Sequence, residues 1–519
     1  MRELLSVGDA WVDPRDVAGI SRGVGADALT LTVHTFPPRG GLFRRRGRDA
    51  RRRVDHRVSF GSVVELIEAR DRILAECHPP GSLWSDPANA DKRLLVLVNP
   101  AAGKGRGLEA YERDVAPVLA CLTSFRPRSA PASPAGGSGA SPPPSPTPSP
   151  TGDSRVDVRV TARRGDAQTA VATLDLDAYA AVVCVGGDGT LAEIFNGLMS
   201  RRGDPDAASV AARFPIGVIP AGSGNAVAKS IAELHGEPCD RTSAALAVAR
   251  GGLRPIDRAV VADPSGAVAM HSLLSLSWGF FADVDIESER FRWLGGLRFT
   301  LQAIVRILFM RRYRATTVRF RPAETFAHPD PDPNRNRDPS EDANSASVAA
   351  RRAARSGATA GVAVASRPGW REITGDVQGV WALSLPWGAE DMHAAPAAEA
   401  SDGAYDVLIV SGASKLALLG LLLVFDAGGH VNHPAVTYVK ASAFEISPGT
   451  SDDGGGGYVA VDGELVAAAK WERDGDRGGE PGPGTWRMPY GETKVEVMTG
   501  GATVFAAVEG AGVAAANVA

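Results

Sequence analysis

A glycine-rich loop with a single carboxylate lies near the middle of the sequence, at Gly186-Gly187-Asp188-Gly189-Thr190. The apolar run from Val182 to Val185 before it predicts a buried parallel strand. Apolar residues at helical spacing from Leu191 to Leu198 predict a helix after it. A strand, a glycine loop and a helix bring backbone N–H groups close to a phosphate. Asp188 could act as a base that accepts a hydroxyl proton, or as a ligand of Mg²⁺. The alternative is that the loop is a plain tight turn in which Asp188 is a turn-forming residue.

Two further units of strand, glycine loop and helix accompany this one. Leu94 to Val98 leads into Asn99 and the basic loop Gly103-Lys104-Gly105-Arg106-Gly107, which lacks the Gly-Lys-Ser/Thr ending of a P-loop. Ile216 to Ile219 leads into Pro220-Ala221-Gly222-Ser223-Gly224-Asn225. Three such units predict an α/β domain with a parallel sheet. Because ligands bind at the carboxyl ends of parallel strands, we expect the three loops to converge there.

Composition limits the compartment and the partners. The 519 residues carry a formal net charge of −4, so no basic field points to nucleic acid. The four cysteines form no CxxC pair, which favours neither a zinc site nor a disulfide framework and fits a reducing compartment. The longest apolar run, Leu416 to Phe425, is shorter than the roughly 20 residues of a bilayer span. We expect a cytoplasmic protein that is soluble or peripherally associated with intracellular membranes.

The chain divides into three predicted regions. Residues 1–90 form a β-rich accessory region that ends in an amphipathic helix, Val63 to Cys77. Its basic cluster, Arg44 to Arg53, could bind anionic lipid headgroups or lie in a solvated loop. Residues 92–252 form the α/β domain, with a disordered Pro- and Ser-rich insert at 126–154.

The third region, residues 253–505, is predicted to be a mostly antiparallel β-sandwich, because strand-like segments alternate there with turn residues. A second disordered insert covers 322–370. Two strongly apolar helices, Leu297 to Met310 and Lys415 to Ala427, interrupt the strands.

These motifs, in this order, resemble the sphingosine kinase (long-chain base kinase) family within the diacylglycerol kinase-like lipid kinases. The matching stretches are LLVLVNPAAGKGRG at 94–107, VGGDGTLAEIFNGLM at 185–199, IPAGSGNAVAKSI at 219–231, LLSLSWGFFADVDIESERFRWLGGLRFTL at 273–301 and VAVDGELV at 459–466. Residues 401–410 and 428–446 look most like the plant members. The resemblance implies a three-layer α/β nucleotide-binding domain, a β-sandwich lipid-binding domain and an active site in the cleft between them.

The resemblance implies transfer of the ATP γ-phosphate, with Mg²⁺, to the primary hydroxyl of a sphingoid base such as sphingosine or phytosphingosine. Gly187 stands where sphingosine kinases usually have Ser, which favours ceramide or diacylglycerol kinase as the alternative. NAD kinases also carry GGDGT, but their polar substrate would not require apolar helices. A non-catalytic lipid-binding protein is disfavoured by the intact Lys104, Asp188 and Asp-Gly-Glu motif.

The resemblance also assigns roles to matched residues. Asp188 is the expected catalytic base, and Asp188 and Asp462 are the expected metal ligands. The expected ATP-binding residues are Asn99, Lys104, Arg106, Thr161, Arg164, Gly187, Gly189, Ser223, Asn225, Arg292, Arg298, Asp462, Gly463 and Glu464. We expect Gly189 to tolerate no side chain. There are two structural alternatives. Arg292 and Arg298 could lie on the solvated side of a helix, and Asp-Gly-Glu could form a hairpin turn.

Two acids, Asp283 and Asp285, are the expected substrate-binding residues. On an extended segment, residues i and i+2 point the same way, so both carboxylates could hold the ammonium and hydroxyls of a long-chain base. Asp285 matches the family's substrate-recognition acid, and a buried carboxylate suits a cationic ligand better than a neutral one. The two apolar helices are expected to line the acyl pocket and face a membrane surface.

Overall fold

The computed structural model describes residues 5–7, 10–22, 27, 29–38, 51–78, 80–89, 91–125, 155–201, 206–294, 297–311, 313–323, 363–365, 367–451, 457–473 and 482–507. The insert predicted at 126–154, and all but the ends of the insert predicted at 322–370, lie outside these residues. Most of the basic cluster from Arg44 to Arg53 also lies outside them.

The N-terminal region consists of two small sheets and one long helix. Its elements are β1 (Leu5–Val7), β2 (Ala10–Val12), β3 (Val17–Arg22), β4 (Thr30–Thr35), β5 (Val54–Ser59) and α1 (Val63–Cys77). β1 pairs with β2, and β3, β4 and β5 form an antiparallel sheet. Arg51, a described member of the basic cluster, is buried and forms ion pairs with Asp16 at 2.5 Å and Glu237 at 2.8 Å. This arginine therefore joins the N-terminal region to the α/β region and is not a solvated side chain.

The α/β region contains four parallel strands in the order β7-β6-β8-β9. The strands are β6 (Arg93–Val98), β7 (Val156–Val160), β8 (Tyr179–Gly186) and β9 (Ile216–Pro220). The helices are α2 (Ala102–Gly105), α3 (Gly107–Ala110), α4 (Ala116–Leu119), α5 (Asp166–Ala172), α6 (Asp188–Met199), α7 (Ala207–Arg213), α8 (Ala226–Leu234) and α9 (Arg241–Arg250).

Helices cover both faces of this parallel sheet. Leu95 and Leu97 of β6 pack on one face with Phe195 of α6, and Val96 packs on the other face with Leu246 of α9. This alternation follows from the two-residue period of a strand. The predicted three-layer α/β domain is confirmed.

The C-terminal region is mostly antiparallel, as predicted. Its strands are β10 (Leu253–Ala262), β11 (Val268–Ser272), β12 (Ser275–Gly279), β13 (Tyr313–Pro322), β14 (Ala363–Val364), β15 (Arg371–Leu383), β16 (Tyr405–Ser411), β17 (Val436–Ser447), β18 (Thr450–Ser451), β19 (Tyr458–Val461), β20 (Glu464–Ala468) and β21 (Thr493–Phe505). Its helices are α10 (Phe280–Ser288), α11 (Leu297–Leu308), α12 (Lys415–Leu422) and α13 (Ala469–Arg473).

The strand β21 joins the two regions, which the sequence did not predict. It pairs antiparallel with β10 and β17, and Val504 pairs parallel with Ile216 of β9. The parallel and antiparallel strands therefore belong to one 16-stranded sheet. Among the described residues, no helix has both the length and the apolar character needed to cross a membrane.

Candidate active site

Three loops meet at the carboxyl ends of the parallel strands. Asn99, after β6, donates its side-chain amide to the hydroxyl of Thr190 at 3.0 Å. The N–H groups of Ala221 and Gly222, after β9, donate to the carbonyl of Gly186 at 2.9 and 3.0 Å. The predicted convergence of the three glycine loops is therefore present in the structure.

Glycines allow these loops to touch backbone to backbone. A Cβ atom added to Gly222 would lie 2.5 Å from the Cα atom of Gly187, and one added to Gly103 would lie 2.5 Å from the carbonyl oxygen of Ala221. Gly103 and Lys104 also have left-handed backbone conformations, with φ of 56° and 68°. Side chains larger than hydrogen would separate the loops, so the glycines fix the shape of the site.

Asp188 begins α6 and holds the N-terminus of α8. Its two carboxylate oxygens accept hydrogen bonds from the N–H groups of Ala226 at 3.0 Å and Val227 at 3.1 Å. Burial raises the pKa of the Asp188 carboxyl, and these hydrogen bonds oppose the rise. The N-terminus of α8 therefore orients the carboxylate and favours its charged form.

The third loop is shaped by the amide of Asn225, which has a left-handed backbone with φ of 52°. Its oxygen accepts from the N–H of Gly222 at 2.8 Å, and its nitrogen donates to the carboxylate of Glu390 at 2.6 Å. Glu390 belongs to the C-terminal region and was not predicted. No sequence motif marked it, because its role depends on a contact between distant segments. Ser223 lies exposed in the same loop.

The predicted basic residues of the first loop, Lys104 and Arg106, are exposed beside the site. Thr161, after β7, donates its hydroxyl to the carbonyl of Val98 at 3.4 Å. Thr161 therefore lies at the end of β6, and the two cationic groups are accessible to an anionic ligand.

The turn Asp462-Gly463-Glu464 brings the C-terminal region to the same site. Glu464 forms an ion pair with Arg164, which follows β7. A Cβ atom added to Gly189 would lie 2.7 Å from a carboxylate oxygen of Glu464, so a side chain there would require Glu464 to move, and the expectation that Gly189 tolerates no side chain stays a prediction. Glu464 therefore lies beside the glycine loop that carries Asp188.

The position of Asp462 differs from the prediction. Its carboxylate is buried and accepts hydrogen bonds from the hydroxyl of Ser272 at 2.6 Å and from the N–H groups of Leu273, Leu274 and Ser275 at 2.9 to 3.0 Å. These four donors saturate the carboxylate inside the C-terminal region. The prediction that Asp462 binds nucleotide and metal therefore does not fit the geometry. The carboxylate instead stabilises the segment that connects β11 to β12.

Asp283 and Asp285 lie on α10, where an extended segment was expected. Residues two apart on a helix point about 200° apart, so the prediction that both acids face one ligand is wrong. Asp283 is 1% exposed and contacts the hydroxyl of Tyr313 at 3.2 Å and the guanidinium of Arg311 at 3.4 Å. It belongs to the interior of the C-terminal region.

Asp285 lies next to the Asp462-Gly463-Glu464 turn. One of its carboxylate oxygens lies 3.8 Å from the position of a Cβ atom added to Gly463. Burial raises the pKa of Asp285 to about 7, Arg298 opposes the rise, and the charges of Glu289 and Asp188 add to it. Asp285 and the glycine loop that carries Asp188 therefore border the same Asp-Gly-Glu turn, and the charge of Asp188 contributes to the raised pKa of Asp285.

Arg298 is buried and forms an ion pair with Glu289. Its guanidinium also lies 4.4 Å from the ring centre of Phe299. The alternative of a solvated helix position is therefore wrong for Arg298. The backbone of Arg292 lies in a 3-10 helix, Glu289–Leu294, and its side chain lies outside the described part of the structure.

The helix α11 turns its polar side inward. The helix presents three polar residues spaced by four, Arg298, Gln302 and Arg306, to three acids on and after α10. Arg298 contacts Glu289, Gln302 and Arg306 contact Glu287, and Arg306 also approaches Asp283. We call these six residues the polar ladder. Gln302 donates to Glu287 at 2.8 Å, and Arg306 approaches Asp283 at 3.8 Å.

The opposite side of α11 is apolar and exposed, and it continues onto α12. The apolar patch consists of Leu297, Leu301, Ile304, Leu308, Phe309, Leu416, Leu419 and Leu423. Phe309 is 74% exposed and Leu416 is 81% exposed. Ala303 and Ile307 of α11 pack with Leu418 and Leu421 of α12 beneath this surface. Exposed apolar surfaces of this kind are typical of docking sites.

Comparisons with known proteins agree with this architecture. The diacylglycerol kinase catalytic domain matches residues 150–261, and the YegS C-terminal NAD kinase beta sandwich-like domain matches residues 380–473. Sphingosine kinase 1 of Arabidopsis thaliana is 31% identical over 432 residues, which cover 82% of this chain and 78% of the relative.

Two human proteins are also similar. Human sphingosine kinase 1 is 30% identical over 387 residues, 72% of this chain and 86% of the relative. Human ceramide kinase is 30% identical over 243 residues, 47% of this chain and 40% of the relative.

The fold, the converging glycine loops and these matches define the class: the chain is an ATP-dependent lipid kinase of the diacylglycerol kinase-like type. Within that class it belongs to the sphingosine kinase family, because the match to the Arabidopsis relative covers most of both chains.

Proposed function

We propose that this kinase transfers the γ-phosphate of ATP to the primary hydroxyl of a sphingoid long-chain base and so forms the 1-phosphate. The observation that carries the proposal is that Gly189, the neighbour of Asp188 in the chain, and Asp285, from a different region, border the same turn at Gly463 and Glu464, and that the charge of Asp188 acts on Asp285. One acid can serve the reacting hydroxyl while the other binds a cationic group of the same lipid.

In the proposed reaction, the lipid hydroxyl oxygen bonds to the γ-phosphorus as the bond from that phosphorus to the β–γ bridging oxygen breaks and ADP leaves. Asp188 accepts the hydroxyl proton, and the N-terminus of α8 fixes its orientation. Lys104 and Arg106 lie exposed beside the loops and are proposed to neutralise phosphate charge.

Asp188 is also the residue proposed to hold Mg²⁺. Among the described residues, no group of three or more His, Cys, Asp and Glu side chains is arranged to bind a metal ion. Mg²⁺ in kinases needs only one or two carboxylates, since substrate phosphates and water supply the other oxygens, so a single acid fits. When bound, the ion would neutralise charge on the transferred phosphate.

The state of Asp285 favours a cationic lipid over a neutral one. Burial raises the pKa of its carboxyl to about 7, so the ionised form is costly in the empty site. A lipid ammonium would offset that cost, whereas the amide of a ceramide or the ester of a diacylglycerol would not. Ceramide remains the second candidate, because human ceramide kinase is 30% identical over 47% of this chain.

A phosphate-transfer assay with purified protein and γ-labelled Mg-ATP tests the proposal. Sphingosine, phytosphingosine, ceramide, diacylglycerol and NAD are offered in parallel, with the Asp285→Asn variant as a comparison. We expect label on the free bases, and a higher KM for them in the variant while the KM for ATP stays unchanged. Label on ceramide or diacylglycerol alone would contradict the assignment of Asp285 to a cationic headgroup.

We also propose peripheral membrane association through the apolar patch, because this surface lies on helices beside the lipid-binding acid. Replacing Phe309 and Leu416 by Glu should reduce sedimentation with phosphatidylcholine vesicles, since both side chains are more than 70% exposed. Val268→Glu is the matched control, because Val268 is 54% exposed on β11, away from the patch. Equal loss in the control would oppose the proposed surface.

A further inference from the structure

A short loop of the C-terminal region, residues 482–488, contacts the turn that follows β7 in the α/β region. Its end is anchored in the C-terminal region, where Trp486 and Met488 are buried in the core and Met488 donates its N–H to the carbonyl of Val466 at 3.0 Å. Its tip, Gly482 to Thr485, extends away from that core to the turn that follows β7.

The contact between the tip and this turn is made by two left-handed glycines. Gly165 has φ of 86° and Gly484 has φ of 75°. A Cβ atom on Gly165 would lie 2.1 Å from the carbonyl oxygen of Pro483, and one on Gly484 would lie 2.5 Å from the backbone nitrogen of Gly165. The two backbones are therefore in direct contact, which side chains on either glycine would prevent.

Hydrogen bonds make the contact specific. The N–H of Gly484 donates to the side-chain oxygen of Gln168 at 2.5 Å. The carbonyl of Gly484 accepts from the guanidinium of Arg164, whose other end pairs with Glu464. Arg164 is half exposed, so the ion pair alone would orient it weakly, and the backbone carbonyl supplies the second restraint.

We infer that residues 482–485 form a clasp that positions Arg164 for ATP binding, with Gly165, Gln168 and Gly484 as positioning residues. The inference rests on the proposed function, which places the nucleotide beside Thr161 and Arg164. Because the contacts of the clasp are with Arg164, Gly165 and Gln168, next to the proposed nucleotide site, its loss should weaken nucleotide binding without weakening lipid binding.

The test compares two variants that break the clasp with one that does not. Gly484→Ala introduces the backbone clash, and Gln168→Leu removes the hydrogen-bond acceptor while leaving both glycines in place. Gly491→Ala is the matched control, because a Cβ atom there would meet nothing within 4 Å. The Kd for Mg-ADP is measured by calorimetry, the KM for ATP and sphingosine by phosphate transfer, and the Tm by scanning calorimetry.

We expect the Kd for Mg-ADP and the KM for ATP to rise about tenfold in both clasp variants, with the KM for sphingosine and the control unchanged. An unchanged Kd in Gln168→Leu at an unchanged Tm would overturn the inference, as would equal rises in both KM values. If Gly484→Ala does not fold, the Kd for Mg-ADP measured with Gln168→Leu tests the inference alone. If the wild type phosphorylates no lipid but the Kd still rises, the clasp stands and the proposed function fails.

Discussion

The two sides of the cleft are built in different ways. On the side proposed to bind the nucleotide, the loops after β6, β8 and β9 touch through glycine backbones, and side chains such as Asn225 hold their shape. On the side proposed to bind the lipid, α10 and α11 are held by the polar ladder, and the apolar side of α11 faces outward. One side depends on close steric fit and the other depends on charge.

This difference predicts different responses to substitution. A backbone contact fails when any atom is added, because the neighbouring chain cannot move away cheaply. A charged contact can exchange one partner for another, so a substitution there changes affinity, pH dependence or stability by a graded amount. Four substitutions test this contrast, from the largest expected effect to the smallest.

Gly222→Ala should abolish detectable phosphate transfer, because its Cβ atom would lie 2.5 Å from the Cα atom of Gly187 in the catalytic loop. We expect a loss of about 10³-fold or more in kcat/KM, since an ~1 Å displacement of reacting groups already costs about 10²-fold. Gly420→Ala on α12 is the control, because nothing lies within 4 Å of its added methyl group. Near-normal activity of Gly222→Ala would mean that the loops are not tightly fitted.

Asp188→Asn should lower kcat by about 10²-fold or more, because the amide cannot accept the hydroxyl proton. The variant is not structurally silent. Both oxygens of Asp188 accept N–H groups of α8, and one of them would be replaced by an amide nitrogen, so we expect about 1 kcal/mol of lost stability.

Steady-state kinetics and thermal unfolding of the same Asp188→Asn preparation separate the two effects. Retained turnover would remove Asp188 from the role of base. A loss of turnover explained fully by a lower folded fraction would make its role the capping of α8 alone.

Asp285→Asn should change the pH dependence of sphingosine use. The pKa of Asp285 is raised to about 7 in the free enzyme, so kcat/KM for sphingosine should fall as the pH drops below about 7 in the wild type. The variant should lose that dependence, and its kcat/KM at pH 8 should be about 10-fold to 100-fold lower, as expected for a lost charged hydrogen bond. Asp283→Asn, on the opposite side of α10, should keep the wild-type pH profile.

The raised pKa of the Asp285 carboxyl also predicts how the stability of the protein changes with pH. The folded-state pKa of Asp285 is raised from 3.8 to about 7, so the native state binds more protons in this range and wild-type stability falls as the pH rises through it. Without lipid, Asp285→Asn should therefore gain Tm relative to the wild type as the pH rises from 3.8 to about 7. A difference in Tm between the variant and the wild type that stays constant across this pH range would contradict the raised pKa of Asp285.

Arg306→Ala should destabilise the protein with a smaller effect on catalysis. The substitution leaves Glu287 and Asp283 with fewer positive partners inside the C-terminal region, which we expect to cost about 2 kcal/mol. Arg319→Ala is the control, because Arg319 pairs with Glu372 and Glu492 while 34% exposed, and such pairs are worth about 0–1 kcal/mol. Equal Tm losses in the two variants would show that the polar ladder is no stronger than a surface pair.

Regular elements with a clear period were predictable from the sequence. The helix Val63–Cys77 has the predicted bounds, and the three loops after buried strands converge because parallel strands end at one edge. The strand β21 was missed because Gly500 and Gly501 interrupt its apolar pattern like a turn. In the structure they lie where β10 changes register, and a Cβ atom on Gly501 would lie 2.2 Å from the side chain of Arg258.

The site errors have a common cause. The sequence ADVD allowed an extended or a helical interpretation, and only packing of α10 against α11 and β15 separates Asp283 from Asp285. The motif VAVDGE predicted a cleft position for both acids, but Glu464 reaches the cleft while Asp462 bonds to the segment between β11 and β12. Contacts between segments far apart in the chain decided each case, and a single sequence does not contain them.

The late position of β21 in the chain has a consequence for biosynthesis. On the ribosome, the nascent chain presents β9 long before Thr493–Phe505 is translated, so the hydrogen-bonding edge of β9 at Ile216 lacks this neighbour while the intervening residues are synthesised. Such open edges invite aggregation. The edge of β9 therefore gains its final sheet neighbour only after β21 has been translated, and chaperone protection of this edge would be valuable until then.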